Sequence, residues 1–289
     1  MDHATPEVHE RLAFAAAAAR EAGRLILGYY GNTAHDTKVG GSPVTEADLA
    51  ANAYLIETIG QSFPDEPVLA EESADPVARR NADRLWIVDP LDGTKEFLAQ
   101  NGEFAVMIAW VAEGRPRAAV VYVPARGLLY AAGSGTGAWL ESGGSRRQLR
   151  CAPADAVRLR MVGSRSHPDP LIEAMRGALR IEDVRPSGSV GIKCALIAEG
   201  ERDLYIHPVP FLNEWDTCAP ELVVTEAGGV VTDCRGDALQ YNKETPSQPH
   251  GILACGADVH EAVLRVIKPL YDAAMGGVER AETNGNGKK

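Results

Sequence analysis

The nine residues Asp89-Pro-Leu-Asp-Gly-Thr-Lys-Glu-Phe97 set two carboxylates three positions apart, beside a glycine and a hydroxyl. Hard oxygen donors of this kind suit Mg²⁺ rather than zinc, which favours cysteine and histidine. The apolar run Leu85-Trp-Ile-Val88 before them reads as a buried strand that stops at Asp89-Pro90, where a loop begins. That loop then lies at the carboxyl edge of a sheet, the place where ligands bind in open α/β folds. A helix restarting near Thr94 would offer the N–H groups of Gly93 and Thr94 to an anion, and Gly93 lets a phosphate approach the backbone. The chemistry is metal-assisted work on a phosphate. Taken alone, the motif is equally well explained as an Asp-rich turn capping a helix.

Two further segments carry acidic residues at element ends. Glu71-Glu72-Ser73 follows the apolar Pro67-Val-Leu-Ala70, and Trp215-Asp216-Thr217 opens a helical stretch from Ala219 to Glu226 that Gly228-Gly229 stop. Each has a plain alternative: Glu71-Glu72 as a solvated pair, Asp216 as a helix cap, with Pro220 tolerated in the first turn.

Together, in the order Glu-Glu-Ser, Asp-Pro-Leu-Asp-Gly-Thr, Trp-Asp and Glu-Ala-Gly-Gly, the segments resemble the lithium-sensitive, magnesium-dependent phosphomonoesterases that include inositol monophosphatases and fructose-1,6-bisphosphatases. The resemblance covers roughly residues 10 to 270. Within that superfamily the chain is most similar to the 3'(2'),5'-bisphosphate nucleotidases. Asp92-Gly-Thr-Lys-Glu-Phe97 resembles the nucleotidase form of the loop, where inositol monophosphatases usually carry Thr-Asn after Gly-Thr. Trp215-Asp-Thr-Cys-Ala-Pro-Glu221, Leu239-Gln-Tyr-Asn-Lys243 and Gly251-Ile-Leu-Ala254 resemble their carboxy-terminal half, and Ser164-Arg-Ser-His-Pro168 the segment that approaches the nucleotide.

The resemblance implies an α+β fold, a layered αβαβα sandwich of the inositol monophosphatase-like sugar phosphatase type with two closely packed subdomains. It implies that Glu71, Asp89 and the carbonyl of Leu91 hold a first Mg²⁺, that Asp89, Asp92 and Asp216 hold a second, and that relatives admit a third. Thr94, its hydroxyl oriented by Asp48, would align the metal-activated water. Gly93 and Thr94 would hold the scissile phosphate, with Ser164, Arg165, His167, Ser189 and Lys193 on the nucleotide side. The implied reaction is hydrolysis of the 3'-phosphate of adenosine 3',5'-bisphosphate, in sulfur assimilation or sulfotransfer. An inositol or other sugar monophosphatase would use the same metal residues, and a noncatalytic nucleotide or metal sensor is the alternative of another class. Lys193 alone reads equally as an exposed helix cation, and the Ser189 to Lys193 spacing and His207 depart from the nucleotidase pattern.

The elements that must position these groups follow from the rest of the chain. With 289 residues, 45% of them hydrophobic, a large buried core is available. A net charge of -11 argues against a nucleic-acid-binding surface, while metal ions let an acidic protein bind an anion. Five cysteines without a C-x-x-C read as reduced and mostly buried. No apolar stretch is long enough for a membrane span and no cleavable signal is evident, so the expectation is a cytoplasmic protein; the family resemblance implies a monomer or homodimer.

An amphipathic helix with Leu12, Ala15, Ala19 and Ala22 or Gly23 on one face should run to a break near Gly31. After the polar loop Lys38-Val-Gly-Gly-Ser42, residues Leu49, Ala53, Ile56, Ile59 and Phe63 recur at helical spacing, which predicts a helix from Glu46 to Ser62. Thr45-x-x-Asp48 fits a capping box at its start. That role competes with the orienting of Thr94, and one carboxylate is not expected to serve both fully. Residues 103 to 140 read as an antiparallel meander. From about Arg150 strands and helices alternate, which sets a soft boundary near Cys151 between residues 1–150, an α+β subdomain with the metal-site loops, and 151–275, an α/β subdomain with Asp216 and the pocket. Residues 276–289 read as a disordered tail.

Overall fold

The computed structural model of the protein describes residues 5–32, 35–37, 43–166, 169–209 and 211–285. In chain order the elements are α1 (Pro6–Tyr29), β1 (His35–Thr37), β2 (Pro43–Thr45), α2 (Glu46–Ser62), β3 (Val68–Ala70), β4 (Arg84–Asp92), α3 (Thr94–Leu98), β5 (Ala105–Ala112), β6 (Arg115–Val123), β7 (Leu128–Gly133), β8 (Gly137–Ser142) and β9 (Ser145–Gln148). Then follow β10 (Arg160–Ser164), α4 (Pro170–Ala178), β11 (Asp183–Ser187), α5 (Val190–Ala198), β12 (Leu204–His207), β13 (Leu212–Asn213), α6 (Glu214–Glu226), β14 (Gly229–Thr232), β15 (Ser247–Gln248), β16 (Ile252–Gly256) and α7 (His260–Gly285).

Side-chain alternation along the strands builds the layers. In the seven-stranded sheet β3-β4-β5-β6-β7-β8-β9, Trp86 and Val88 of β4 pack against Ala15, Ala19 and Ile26 of α1 and Leu55 and Ile59 of α2. Leu85 and Ile87 face the other way, into a core shared with Ile192 of α5 and Val223 of α6. That second core also takes Val162, Tyr205 and Ala254 from the five-stranded sheet β11-β10-β12-β16-β14. The remaining face of this sheet, with Met161, Ile206 and Cys255, closes against Ile172 and Met175 of α4 and Val263 and Ile267 of α7. The order is therefore helices, sheet, helices, sheet, helices, the five-layer sandwich the family resemblance implies.

Four expectations differ from what the fold contains. β4 does not stop at Asp89-Pro90 but runs to Asp92, with a register shift between Asp89, opposite Met107, and Asp92, opposite Ala105. The extra residue is a bulge, and Pro90, which lacks an N–H, sits where the ladder is interrupted. The helix at Glu46–Ser62 forms as expected, but its buried face is Ala47, Asp48, Ala51, Asn52, Leu55 and Ile59, and Leu49 is 52% exposed. Two polar residues occupy that face and displace the apparent apolar period. Pro220 lies beyond the first turn of α6, so the carbonyl of Asp216 lacks the N–H that would ordinarily bond to it. Finally, α7 continues through Gly285 in place of a disordered tail from Gly276, in keeping with the helix formers Ala273, Ala274, Glu279, Arg280, Ala281 and Glu282 on either side of Gly276-Gly277. All five cysteines are free thiols, Cys151 partly exposed and the rest buried.

Candidate metal centre and active site

The bulge in β4 is the local device that makes the site. In an unbroken strand, residues three apart face opposite sides, whereas one inserted residue returns them to the same side. Asp89 and Asp92 thus line one cavity of about 680 Å³, together with Glu71, Leu91, Gly93, Thr94 and Asp216. Carboxylate oxygens of Asp89, Asp92 and Asp216 all lie within 4.8 Å of one another. Gly93 follows at φ +99°, and a Cβ there would meet the carbonyl oxygen of Glu103 at 2.9 Å, so only glycine makes this corner.

Asp216 is set by α6. Its Oδ2 accepts the N–H of Asn213 at 2.6 Å, the reciprocal arm of a capping box. The helix cap is real, and the same residue lines the cavity. The start of α6 is fixed in turn by buried Glu214, which accepts the N–H groups of Asn242 and Lys243 at 2.7 and 2.9 Å. The side chain of Arg79 donates to Asn242 and to the carbonyl of Lys243 and pairs with Asp75, which ties this loop to the segment following Glu71.

The electrostatics of the cluster are those of crowded, buried carboxylates. Burial first, then the charges of Glu71, Asp92 and Asp216, hold the Asp89 carboxyl well above the usual carboxylate range. Burial also raises Asp92, opposed by Lys193 and by hydrogen bonds from Ser189 and Gly191. An ion between these oxygens would remove the repulsion, and the donor set is all oxygen. The described residues therefore carry an acidic cluster able to hold a metal.

Beside it stands the hydroxyl pair. Thr94 Oγ1 donates to Asp48 Oδ1 at 3.0 Å. Asp48 Oδ2 meanwhile accepts the backbone N–H of Thr45 at 2.8 Å and its hydroxyl at 2.5 Å. The two roles that compete in the sequence are divided between two oxygens of one carboxylate.

The substrate-side residues separate into those that reach the cavity and those that do not. Ser164, Ser189 and Lys193 line it. Lys193 is not an exposed helix cation but is 4% exposed on α5, its ammonium 5.1 Å from the Tyr205 ring, and burial lowers its pKa against the pull of Asp92. Ser189 donates to Asp92 Oδ2 at 2.5 Å, so it braces a metal-site carboxylate instead of standing free for a ligand. Arg165 turns away and pairs with both oxygens of Glu103 at 3.0 Å. His167 lies outside the described residues. Sequence reasoning missed Glu96, Tyr205 and Phe211, which also line the cavity. Phe211 is 79% exposed despite its apolar ring. An aromatic residue five positions before the Trp-Asp motif aspartate was the available signal.

The chain is 40% identical over 229 residues to the 3'(2'),5'-bisphosphate nucleotidase CysQ of Escherichia coli (strain K12), covering 77% of this chain and 90% of that protein. A crystal structure of CysQ from Bacteroides thetaiotaomicron, a bacterial member of the inositol monophosphatase family, matches with a TM-score of 0.73 at 36% identity, covering 85% of this chain and 97% of that one. The Thermotoga maritima IMPase TM1415 matches with a TM-score of 0.78 at 28% identity, covering 91% and 99%. The family match spans residues 7–269, and the chain belongs to the inositol monophosphatase family.

Proposed function

We propose that this protein is a Mg²⁺-dependent phosphomonoesterase that removes the 3'-phosphate of adenosine 3',5'-bisphosphate, giving AMP and inorganic phosphate. The observation that carries the reaction class is the Asp89–Asp92–Asp216 cluster in a cavity that Thr94, hydrogen-bonded to Asp48 behind it, also lines. The nucleotide is favoured by relatives named as bisphosphate nucleotidases at about 40% identity.

In this reading Glu71, Asp89, the carbonyl of Leu91, Asp92 and Asp216 would hold the Mg²⁺, the N-terminal half to residue 150 supplying all but Asp216. Mg²⁺, when bound, would neutralise phosphate oxygens and make a water more acidic. Thr94, its proton committed to Asp48, has lone pairs left to accept a hydrogen from that water and point its oxygen at phosphorus. As the water oxygen bonds to phosphorus the P–O3' bond breaks with its electron pair going to O3'; the attacking water releases one proton to solvent and O3' takes one from solvent, giving inorganic phosphate and the 3'-hydroxyl of AMP. The N–H groups of Gly93 and Thr94 steady the phosphate, and buried Lys193 supplies positive charge beside Asp92.

The cavity's apolar lining bears on substrate. Tyr205, Val209, Phe211, Leu212 and Trp215 line the same space as the carboxylates. A purine can cover such a surface, whereas a polyol presents hydroxyls to it on every side. The hydroxyl pair speaks against a noncatalytic sensor, since a binder has no need of it. Free thiols throughout suit a reducing compartment, and we place the enzyme in the cytoplasm. Among the described residues no helix is long and apolar enough to cross a membrane.

The test is phosphate release with Mg²⁺ from adenosine 3',5'-bisphosphate, inositol 1-phosphate and fructose 1,6-bisphosphate in parallel. A kcat/KM advantage for the nucleotide of about 100-fold, or roughly 2.7 kcal/mol of transition-state discrimination, is expected. Preference for inositol phosphate would leave the metal centre standing and discard the substrate assignment.

A further inference from the structure

Glu103 belongs to neither the acidic cluster nor the lining of the cavity, yet three segments of the site converge on it. Its Oε2 accepts the N–H of Gly188 at 2.8 Å and the Nε of Arg165 at 3.0 Å, and Oε1 accepts Arg165 Nη2 at 3.0 Å. Its backbone carbonyl abuts Gly93, where a Cβ would sit 2.9 Å from it, and Gly188, where a Cβ would sit 2.8 Å away. The side chain is 12% exposed, and its own N–H is fixed by Asn101 Oδ1 at 2.9 Å. It is thus a fixed point rather than a mobile surface acid.

What hangs from Gly188 is the turn into α5. Ser189 adopts φ +55°, a left-handed conformation that non-glycine residues rarely take. Strain of that kind persists where the surroundings over-determine it, and here they do. The Ser189 hydroxyl accepts the Ile192 N–H at 3.1 Å and donates to Asp92 Oδ2 at 2.5 Å, and the Gly191 N–H reaches the same oxygen at 2.9 Å. Both donors of this turn fall on Asp92 Oδ2, and Asp92 is a member of the cluster whose carboxylate oxygens lie within 4.8 Å of one another. Release of Gly188 would let the strained turn relax and take both donors away from Asp92.

We propose that Glu103 is a positioning residue for the metal centre, acting through Gly188 and Ser189 to fix which oxygen of Asp92 faces Asp89 and Asp216. The inference rests on the reading of that cluster as a metal site. The contact to Gly188 carries the effect. The Arg165 pair holds the same carboxylate and joins the segment after Ser164 to the same point.

The test compares Glu103→Ala, Glu103→Gln, Ser189→Ala and the double variant Glu103→Ala/Ser189→Ala in the full chain. The readouts are the Mg²⁺ concentration that half-saturates thermal stabilisation, measured without substrate, and kcat and KM measured with it. Groups that orient metal ligands change affinity by about 10- to 100-fold, so Glu103→Ala and Ser189→Ala should each raise the half-saturating Mg²⁺ by about tenfold or more. The double variant should be no worse than the weaker-binding single, because both act on one chain of contacts. Glu103→Gln keeps an acceptor for Gly188 and should stay within about threefold of the parent, a rescue that a generic loss of charge would not give. Glu103→Asp, which withdraws the carboxylate by one methylene, tests the same contact if the alanine variant does not fold. A lowered Tm with unchanged Mg²⁺ half-saturation, or independent, multiplying effects in the double variant, overturns the proposal. Absence of any Mg²⁺ stabilisation in the parent chain would instead overturn the metal-site reading beneath it.

Discussion

The hydroxyl of Thr94 donates to Asp48 Oδ1 at 3.0 Å, while the other oxygen of Asp48 closes the capping box at the start of α2. One side chain therefore couples a helix terminus to the hydroxyl that faces the cluster. The cap fixes the carboxylate, and the fixed carboxylate dictates where the Thr94 proton points. With that proton committed, the lone pairs of Thr94 are what the cavity meets.

This division of labour predicts separable losses. Thr94→Val should lower kcat by about 10²- to 10⁴-fold, the usual worth of a positioned proton-transfer group, with little change in Tm. Thr45→Val should cost about 0.5–2 kcal/mol of stability through the lost hydroxyl cap while keeping most of the turnover, because the backbone N–H of residue 45 still holds Asp48 Oδ2. Asp48→Ala should show both defects at once. Steady-state rates and thermal melts on the three variants decide it, and a Thr94 variant with normal kcat would remove the hydroxyl from the mechanism.

Asp89 is 1% exposed and faces three other carboxylates. Asp89→Asn removes one of the repelling charges, so the metal-free variant should melt no lower than the parent. It should also lose the stabilisation that Mg²⁺ gives the parent chain, together with roughly a hundredfold or more in kcat/KM. Calorimetric melts with and without Mg²⁺ check both halves. Retained hydrolysis in this variant would discard the cluster as the reaction centre.

A pH dependence follows from the same burial. The Asp89 carboxyl is held well above its ordinary range by burial and its acidic neighbours, and Asp92 is raised by burial. Without metal, the folded chain keeps protons that the unfolded chain has released, so stability falls as pH rises from the ordinary carboxylate range through the raised folded pKa. Mg²⁺ favours the ionised form and should cancel that slope. The Tm gain from saturating Mg²⁺ is accordingly expected to grow with pH across this window, and a gain independent of pH would contradict it.

The residues that were legible in the sequence are those whose chemistry is local. The Thr45–Asp48 cap, the Asp89–Asp92 motif and the strands flanking it follow from spacing and side-chain type. What was hidden depends on partners distant in the chain. Asp48 and Asn52 look like interruptions of an apolar helix face, yet they are on the buried one because Thr94 and Ser73 meet them there. Arg165 resembles a phosphate ligand until Glu103, 62 positions earlier, is seen to hold it. Lys193 reads as easily as a surface cation as a substrate-side charge, because no local pattern reports that α5 is buried between two sheets. The bulge in β4 was invisible for a related reason: nothing in Asp89-Pro-Leu-Asp92 reveals that Ala105–Met107 opposite has one residue fewer.

Phe211 offers the last test, because an aromatic ring 79% exposed at the wall of a charged cavity gains nothing in the free protein. If the ring stacks on a purine, Phe211→Ala should weaken binding of adenosine 3',5'-bisphosphate by about 1–3 kcal/mol, seen as a KM increase of roughly 5- to 150-fold. The rate on inositol 1-phosphate, which has no π-face, should barely move, and Mg²⁺ half-saturation should stay with the parent. Since Phe211 touches none of the carboxylates in any hydrogen bond, a fall in kcat on every substrate would mean that the ring supports the wall and not the base. An unchanged KM for the nucleotide alongside parental kcat would place the base elsewhere in the cavity, with Tyr205 and Trp215 as the remaining aromatic surfaces.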